Sequence, residues 1–291
     1  MKRHYKSAND SGTLLGITPK TANWRYISFK VLALKAGKLL EADTHGEEIV
    51  LVPLAGEGVL EFGGKRHVLQ RPDLFIDKPD IVYLPPETPY KLEGSRDFEV
   101  AIGGAPATGL KPARVIRANE IVTTIRGGAN VQRGVSTLLD SDEYSERLTV
   151  YEIHTPSGNW SSFPPHRHDA RDGSSYHEEI YYYRLRPTSG FAIQRIYTRD
   201  TNLDVAIPVG NGDLVLIHEG YHPVVKAPGT NAYYLNFLAG DVRQINAVND
   251  LHYDWLTKDW KASQSRSRCN SELSRHNDDS RSTQKENHAT S

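Results

Sequence analysis

The chain has a single cysteine, Cys269, and it lies in a polar stretch. That scarcity excludes a disulfide framework and a thiolate metal site, so any metal must be held by histidine and carboxylate. Long apolar runs are also missing: no stretch could span a bilayer. Met1-Lys2-Arg3-His4-Tyr5-Lys6 leads into polar sequence without the apolar core of a signal peptide. A soluble, cytoplasmic protein with no membrane partner is expected. Charge of one sign is lacking as well, because 35 Lys and Arg stand against 36 Asp and Glu. With no long basic run outside the tail, no nucleic-acid partner is expected, and small-molecule chemistry is the starting expectation. Helix signals are weak before Asp250 to Trp260. From Ala262 onward the only branched aliphatic residue is Leu273 and aromatics are absent. Such a segment cannot offset its ordering entropy by burial, so 262–291 reads as a disordered tail.

What is present is a series of short β-rich runs punctuated by Gly, Pro, Asn and Asp. One series is Trp24 to Leu34, Glu48 to Leu54, Gly58 to Phe62, Ile81 to Leu84 and Phe98 to Ile102. The second is Leu148 to His154, Glu179 to Leu185, Phe191 to Thr198, Asp213 to Ile217 and Ala232 to Leu238. Strands spaced in this way predict an all-β sandwich or barrel. The two series also read as one pattern written twice. His45-Gly46-Glu47-Glu48-Ile49-Val50-Leu51 is similar to His177-Glu178-Glu179-Ile180-Tyr181-Tyr182, and Pro79-Asp80-Ile81-Val82-Tyr83-Leu84 to Gly212-Asp213-Leu214-Val215-Leu216-Ile217. Glu48 and Asp80 are 32 positions apart, Glu179 and Asp213 34. Two tandem barrels are therefore expected, over 1–140 and 141–261.

The copies differ where chemistry would sit. Pro164-Pro165-His166-Arg167-His168 carries two imidazoles at i and i+2, which an extended strand aims at one side while Arg167 points outward. Glu178-Glu179 and Gly220-Tyr221-His222-Pro223 add carboxylates and a third imidazole. Neutral imidazole with carboxylate suits several divalent metals, Zn, Mn and Fe among them. The first copy has only Ala42-Asp43-Thr44-His45 and Pro89-Tyr90 at the corresponding places. It is expected to lack metal ligands and to buttress the second barrel or to form a homo-oligomer interface.

The His-x-His with a later Glu, followed by a Gly-Asp strand and a His, resembles the cupin superfamily. The spacing departs from the usual motif, since nine residues separate His168 from Glu178 and ten separate it from Glu179. Gly158 to Asp169, Glu178 to Arg184, Gly190 to Thr198, Glu219 to Pro223 and Tyr233 to Gly240 closely resemble the 5-deoxy-glucuronate isomerases of myo-inositol catabolism. The resemblance covers roughly residues 10 to 260 and is densest from Gly158 to Gly240. It implies a bicupin that converts 5-deoxy-D-glucuronate, a sugar acid, into 5-dehydro-2-deoxy-D-gluconate by aldose-ketose isomerisation through a metal-stabilised enediolate. It also implies His166, His168, Glu179 and His222 as ligands of a divalent Zn, Mn or Fe ion.

Isomerisation needs a base that reaches a carbon-bound proton. The candidates are a metal-bound hydroxide, a tyrosinate at Tyr181, and Glu178 if it turns inward. The far carboxylate of the substrate needs a cation, for which Arg184, Arg186 and Arg195 are candidates; Gln194 and Tyr234 are further candidate contacts. His154, His177 and His218 are expected near the site without ligating. Three other readings share the sequence features: a uronate ketol isomerase of pectin breakdown, an iron-dependent cupin dioxygenase, and a sugar-binding bicupin without catalysis. The long insert Asp169 to His177 favours the inositol pathway.

Overall fold

The computed structural model describes residues 2–7, 11–140, 142–200 and 202–256. The tail expected over 262–291 lies outside the described residues, as does the end of the helix expected from Asp250 to Trp260. Its described part is a 3-10 turn, Leu251–Tyr253, capped by the Asp250 side chain and followed by helical residues 254–256. Elsewhere among the described residues, helix is confined to Pro19–Ala22 and a turn at Ala129–Val131.

All of the expected strands form, and two of them are one. Glu48 to Leu54 and Gly58 to Phe62 join in a single bent strand, Glu47–Phe62, because Leu54 to Glu57 is a set of bulges and not a turn. Gly56 sits there at φ 71, where a Cβ would lie 2.2 Å from the Asp97 carbonyl oxygen, so only glycine fits the bend. This strand and Pro89–Pro106 are the spine of an eight-stranded sheet built from residues 12–116. Its concave side is filled by Leu32, Ile49, Leu51, Leu60, Val82, Phe98 and Val100.

A seven-stranded sheet and a four-stranded sheet form the second barrel. The larger runs in the order His4–Tyr5, Leu214–Ile217, His177–Arg186, Asn231–Gly240, Thr149–Thr155, Arg133–Leu139, Val122–Arg126. The smaller contains Trp160–Ser161, Val224–Lys226, Ala192–Tyr197 and Asp204–Val209. Sheet membership departs from the boundary expected at 140/141: the hairpin of Val122–Arg126 and Arg133–Leu139 hydrogen-bonds to Thr149–Thr155. The N-terminal strand His4–Tyr5 likewise pairs with Leu214–Ile217.

The two large sheets pack face to face. Phe29, Val31, Val50 and Val52 from one meet Ile180, Tyr182, Leu235 and Phe237 from the other in one shared core. Each such side chain, once fully buried, contributes about 1.5–3 kcal/mol. Gly103 is required there, because a Cβ would lie 2.4 Å from the Phe237 ring. A buried ion pair crosses the same interface: both Nη atoms of Arg71 bind the Glu152 carboxylate, to which the Tyr233 hydroxyl also donates.

Two carboxylates lock the halves reciprocally. Glu178 accepts the backbone N–H groups of Arg25, Tyr26 and Ile27 at 2.7, 3.0 and 2.9 Å. Glu48 accepts those of Glu146, Arg147 and Leu148, each at 2.7 Å, and the Tyr83 hydroxyl. The repeat is therefore offset by one position from its sequence reading: Glu48 corresponds to Glu178, not Glu179. Ladder partners agree, since Ile49 faces Leu84 and Glu179 faces Ile217, each at the end of its short strand. The position that carries a carboxylate in the second barrel is thus a buried isoleucine in the first.

Candidate metal centre and active site

His166, His168, Glu179 and His222 meet inside the second barrel. One ring nitrogen from each histidine lies within 4.8 Å of the others. Glu179 Oε2 is 3.0 Å from His168 Nε2 and 3.2 Å from His222 Nε2. His166 begins the short strand His166–Arg167, which pairs with Val248–Asn249. The insert that separates His168 from Glu179 closes on itself: Asp169 bridges to Tyr176, and the His177 N–H donates to the His168 carbonyl at 2.8 Å. Its length therefore does not displace Glu179 from the histidines. Arg167 does turn away from the ligand side, but the expectation that it points outward is wrong in one respect. It is buried under the Tyr221 ring and pairs with Asp169 and Asp172, because the insert folds over it.

The donor set fits a divalent cation. His168 Nδ1 lies 2.9 Å from the His177 carbonyl, His222 Nδ1 3.0 Å from the Gly220 carbonyl, and His166 Nδ1 3.5 Å from the Pro164 carbonyl. A proton on each Nδ1 satisfies these carbonyls and leaves the Nε2 lone pairs for ligation, the usual support of metal-bound imidazole. His222 Nε2 is buried and makes no hydrogen bond, although Glu179 is near. Lone pairs and a carboxylate this close repel one another unless a proton or a cation lies among them. The same tension shows in the titrations. Burial, aided by its histidine neighbours, pushes His166 down to about 3. Burial opposes ionisation of Glu179, but the neighbouring His168 and His222 imidazoles prevail and hold its carboxyl well below the usual range. For His168, burial is outweighed by Glu179, and its pKa is raised.

Beside this cluster is a cleft of about 280 Å³ lined by His166, His168, Glu179, Tyr181, Tyr234, Arg126 and Arg133, with apolar walls from Val135, Ile153 and Leu238. Tyr181 faces it, with its hydroxyl 2.9 Å from Ser162 Oγ, and the Tyr234 hydroxyl bonds Ser161 Oγ. Burial and the Glu179 charge push Tyr181 far up, which favours its phenol form over the tyrosinate base considered from sequence. Glu178 is not a base either, since its carboxylate is turned away and fully engaged by the first barrel's backbone.

Three of the expected substrate contacts lie elsewhere. Arg184 pairs with Glu99 of the first barrel, and Arg195 makes a two-pronged pair with Asp204 on the outer surface. Arg186 pairs with Asp73. Gln194 is buried behind the site, donating to the His222 carbonyl at 2.7 Å and accepting from the Tyr183 hydroxyl. It supports a ligand. Of the five, only Tyr234 lines the cleft. His154 and His218 bond backbone carbonyls of Leu74 and Ala22, away from the cluster, whereas the His177 carbonyl steadies His168. Sequence reasoning missed Arg126 and Arg133; their hairpin shows no clear alternation of apolar and polar residues.

A double-barrelled β-protein with a three-histidine, one-glutamate cluster inside its second barrel is a bicupin whose donor set could hold a metal. Over residues 1–256 the chain matches the KduI/IolB family. The chain belongs to that family. A 5-deoxy-glucuronate isomerase of Geobacillus kaustophilus (strain HTA426) is 40% identical over 255 residues, 86% of this chain and 92% of that protein. One from Bacillus subtilis (strain 168) is 35% identical over 251 residues, 82% of this chain and 91% of that protein. Among solved structures, an IolB-like protein of Salmonella typhimurium LT2 superposes with a TM-score of 0.85 at 34% identity, covering 88% of this chain and 100% of that one. Lactobacillus farciminis oxalate decarboxylase gives 0.64 at 10% identity, over 89% of this chain and 90% of that one, and shares the fold alone. No helix among the described residues is long and apolar enough to cross a membrane.

Proposed function

We propose that this chain is an aldose-ketose isomerase that converts 5-deoxy-D-glucuronate into 5-dehydro-2-deoxy-D-gluconate. The observation that carries the reading is the gathering of His166, His168, Glu179 and His222 at a cleft, in a chain that spans nearly the full length of isomerase relatives. The reaction removes a proton from C2 and adds one at C1, so that the aldehyde becomes an alcohol and the C2 hydroxyl a ketone. Those four residues would hold a divalent cation; Zn, Mn and Fe suit the mixed nitrogen and oxygen set. When bound, it supplies Lewis-acid stabilisation of negative charge on adjacent substrate oxygens. Tyr181, held as a phenol beside Ser162, is placed to donate a hydrogen bond to a substrate oxygen as charge develops. The Val135, Ile153 and Leu238 walls keep water from the reacting carbons and strengthen that bond.

The test is to incubate purified protein with 5-deoxy-D-glucuronate without oxygen and to follow the aldehyde proton by NMR. Turnover should vanish after chelation and return with a divalent cation. A cation-loaded protein that leaves the aldehyde untouched, or that acts only with oxygen, would overturn the reading. Running the uronate of pectin breakdown in parallel separates the two ketol isomerases by kcat/KM.

A further inference from the structure

We infer that Arg126 and Arg133 form the site that receives the substrate's far carboxylate, and so set the selectivity of the cleft for acidic over neutral sugars. This rests on the isomerase reading and names residues for it that the sequence did not suggest.

The two arginines are cross-strand partners in the hairpin of Val122–Arg126 and Arg133–Leu139. Like charges directly opposite each other on antiparallel strands are destabilising. The arrangement is therefore costly unless an anion offsets it. Among the described residues no carboxylate pairs with either guanidinium. Arg133 Nη1 donates only to the Val131 and Phe163 carbonyls, each at 3.2 Å. The contrast with the neighbouring arginines is sharp. Arg167, Arg171, Arg184, Arg186, Arg195, Arg199 and Arg243 all have an acidic partner. Arg126 and Arg133 have none, and both line the cleft that also holds His166, His168 and Glu179. The cleft is thus lined both by a set of donors that could hold a metal and by two arginines, whose guanidinium groups suit a carboxylate. A uronate has that polarity, with carbonyl chemistry at C1 and C2 and an anion at C6.

The experiment compares 5-deoxy-D-glucuronate with its neutral analogue, in which the carboxylate is replaced by a hydroxymethyl group, on the cation-loaded enzyme and on Arg126→Gln, Arg133→Gln and Arg133→Lys. In each glutamine variant the acid-over-neutral ratio of kcat/KM should fall about 10- to 100-fold, as expected for loss of a charge-assisted hydrogen bond, with the loss appearing in KM for the acid. Arg133→Lys should recover part of it. Arg126 is exposed, so its variant tests the idea even if Arg133→Gln folds poorly. A ratio unchanged within about twofold in folded Arg126→Gln overturns the assignment, because loss of a charge-assisted hydrogen bond would lower it by more. If the wild type turns over neither sugar, the isomerase reading fails alone. Calorimetric binding of the uronate to wild type and Arg126→Gln then decides the arginine question: weaker binding supports it and equal affinity overturns it.

Discussion

Glu178 and Glu179 are adjacent, both buried and both acidic, yet the structure gives them opposite tasks, and substituting each should separate stability from chemistry. Glu178 holds three backbone N–H groups of the first barrel. Hydrogen bonds to a charged acceptor contribute about 1.5–3 kcal/mol each. In Glu178→Ala, water can reach the N–H groups near the exposed Arg25 and half-buried Tyr26, but Ile27 is fully buried and its N–H is left without a partner. The expected cost is about 3–5 kcal/mol, one full desolvation penalty plus the reduced value of two bonds transferred to water. Glu178→Gln keeps an acceptor oxygen and should lose about 1–3 kcal/mol.

The assay is urea denaturation of chelator-treated protein followed by tryptophan fluorescence. Trp24 lies one residue before the latched segment, against the His218 ring at 4.8 Å, and so reports on it directly. Glu178→Ala should shift the midpoint strongly while retaining turnover below its transition. Glu179→Gln should shift the midpoint less than Glu178→Ala, yet lose cation binding and turnover by three orders of magnitude or about 4 kcal/mol of barrier. A Glu178→Ala enzyme as stable as wild type but inactive would refute the latch and restore Glu178 as a base. A Glu179→Gln enzyme with full metal content and turnover would remove Glu179 from the site.

The remaining predictions use the same measurements. Glu48→Gln, the counterpart of Glu178→Gln, should destabilise by a similar amount, about 1–3 kcal/mol, with little change in kcat/KM; a change confined to kcat/KM would contradict it. Glu152→Gln strands the buried Arg71 guanidinium and should cost about 3–5 kcal/mol, whereas replacing both by apolar residues should recover much of that; a cost for Glu152→Gln below about 1 kcal/mol would oppose the assignment. Burial holds the His154 pKa below its ordinary value, so the native state binds fewer protons there than the unfolded chain. Its contribution to stability is complete above pH ~6.5 and declines as pH falls toward the native pKa, by at most about 1.4 kcal/mol per pH unit. His154→Asn should flatten the fall in urea midpoint between about pH 7.5 and 5, and an unchanged slope would show that His154 is not responsible.

The meeting of the three histidines and Glu179 was legible in the sequence because strand parity is a strong constraint: His166 and His168 share a side of their strand, and Glu179, Tyr181 and Tyr183 share a side of theirs. The same parity already opposed two of the sequence candidates. Glu178 and Arg184 lie on the face opposite Glu179, and in the structure both reach the first barrel. Arg195 alternates with Gln194 in the same way, one outward to Asp204 and the other inward to the His222 carbonyl. The one-position offset of the repeat was not legible, because Glu47-Glu48-Ile49 and Glu178-Glu179-Ile180 match as strings in the other register. Only the partners of the side chains separate them: a carboxylate that meets backbone N–H groups is the latch, and its neighbour faces the barrel interior. The hairpin that carries Arg126 and Arg133 was hidden for a different reason. Its outer strand is exposed on both faces, so burial imposes no alternation on Val122–Arg126, and no pattern of residues marks the hairpin that brings Arg126 and Arg133 to the cleft.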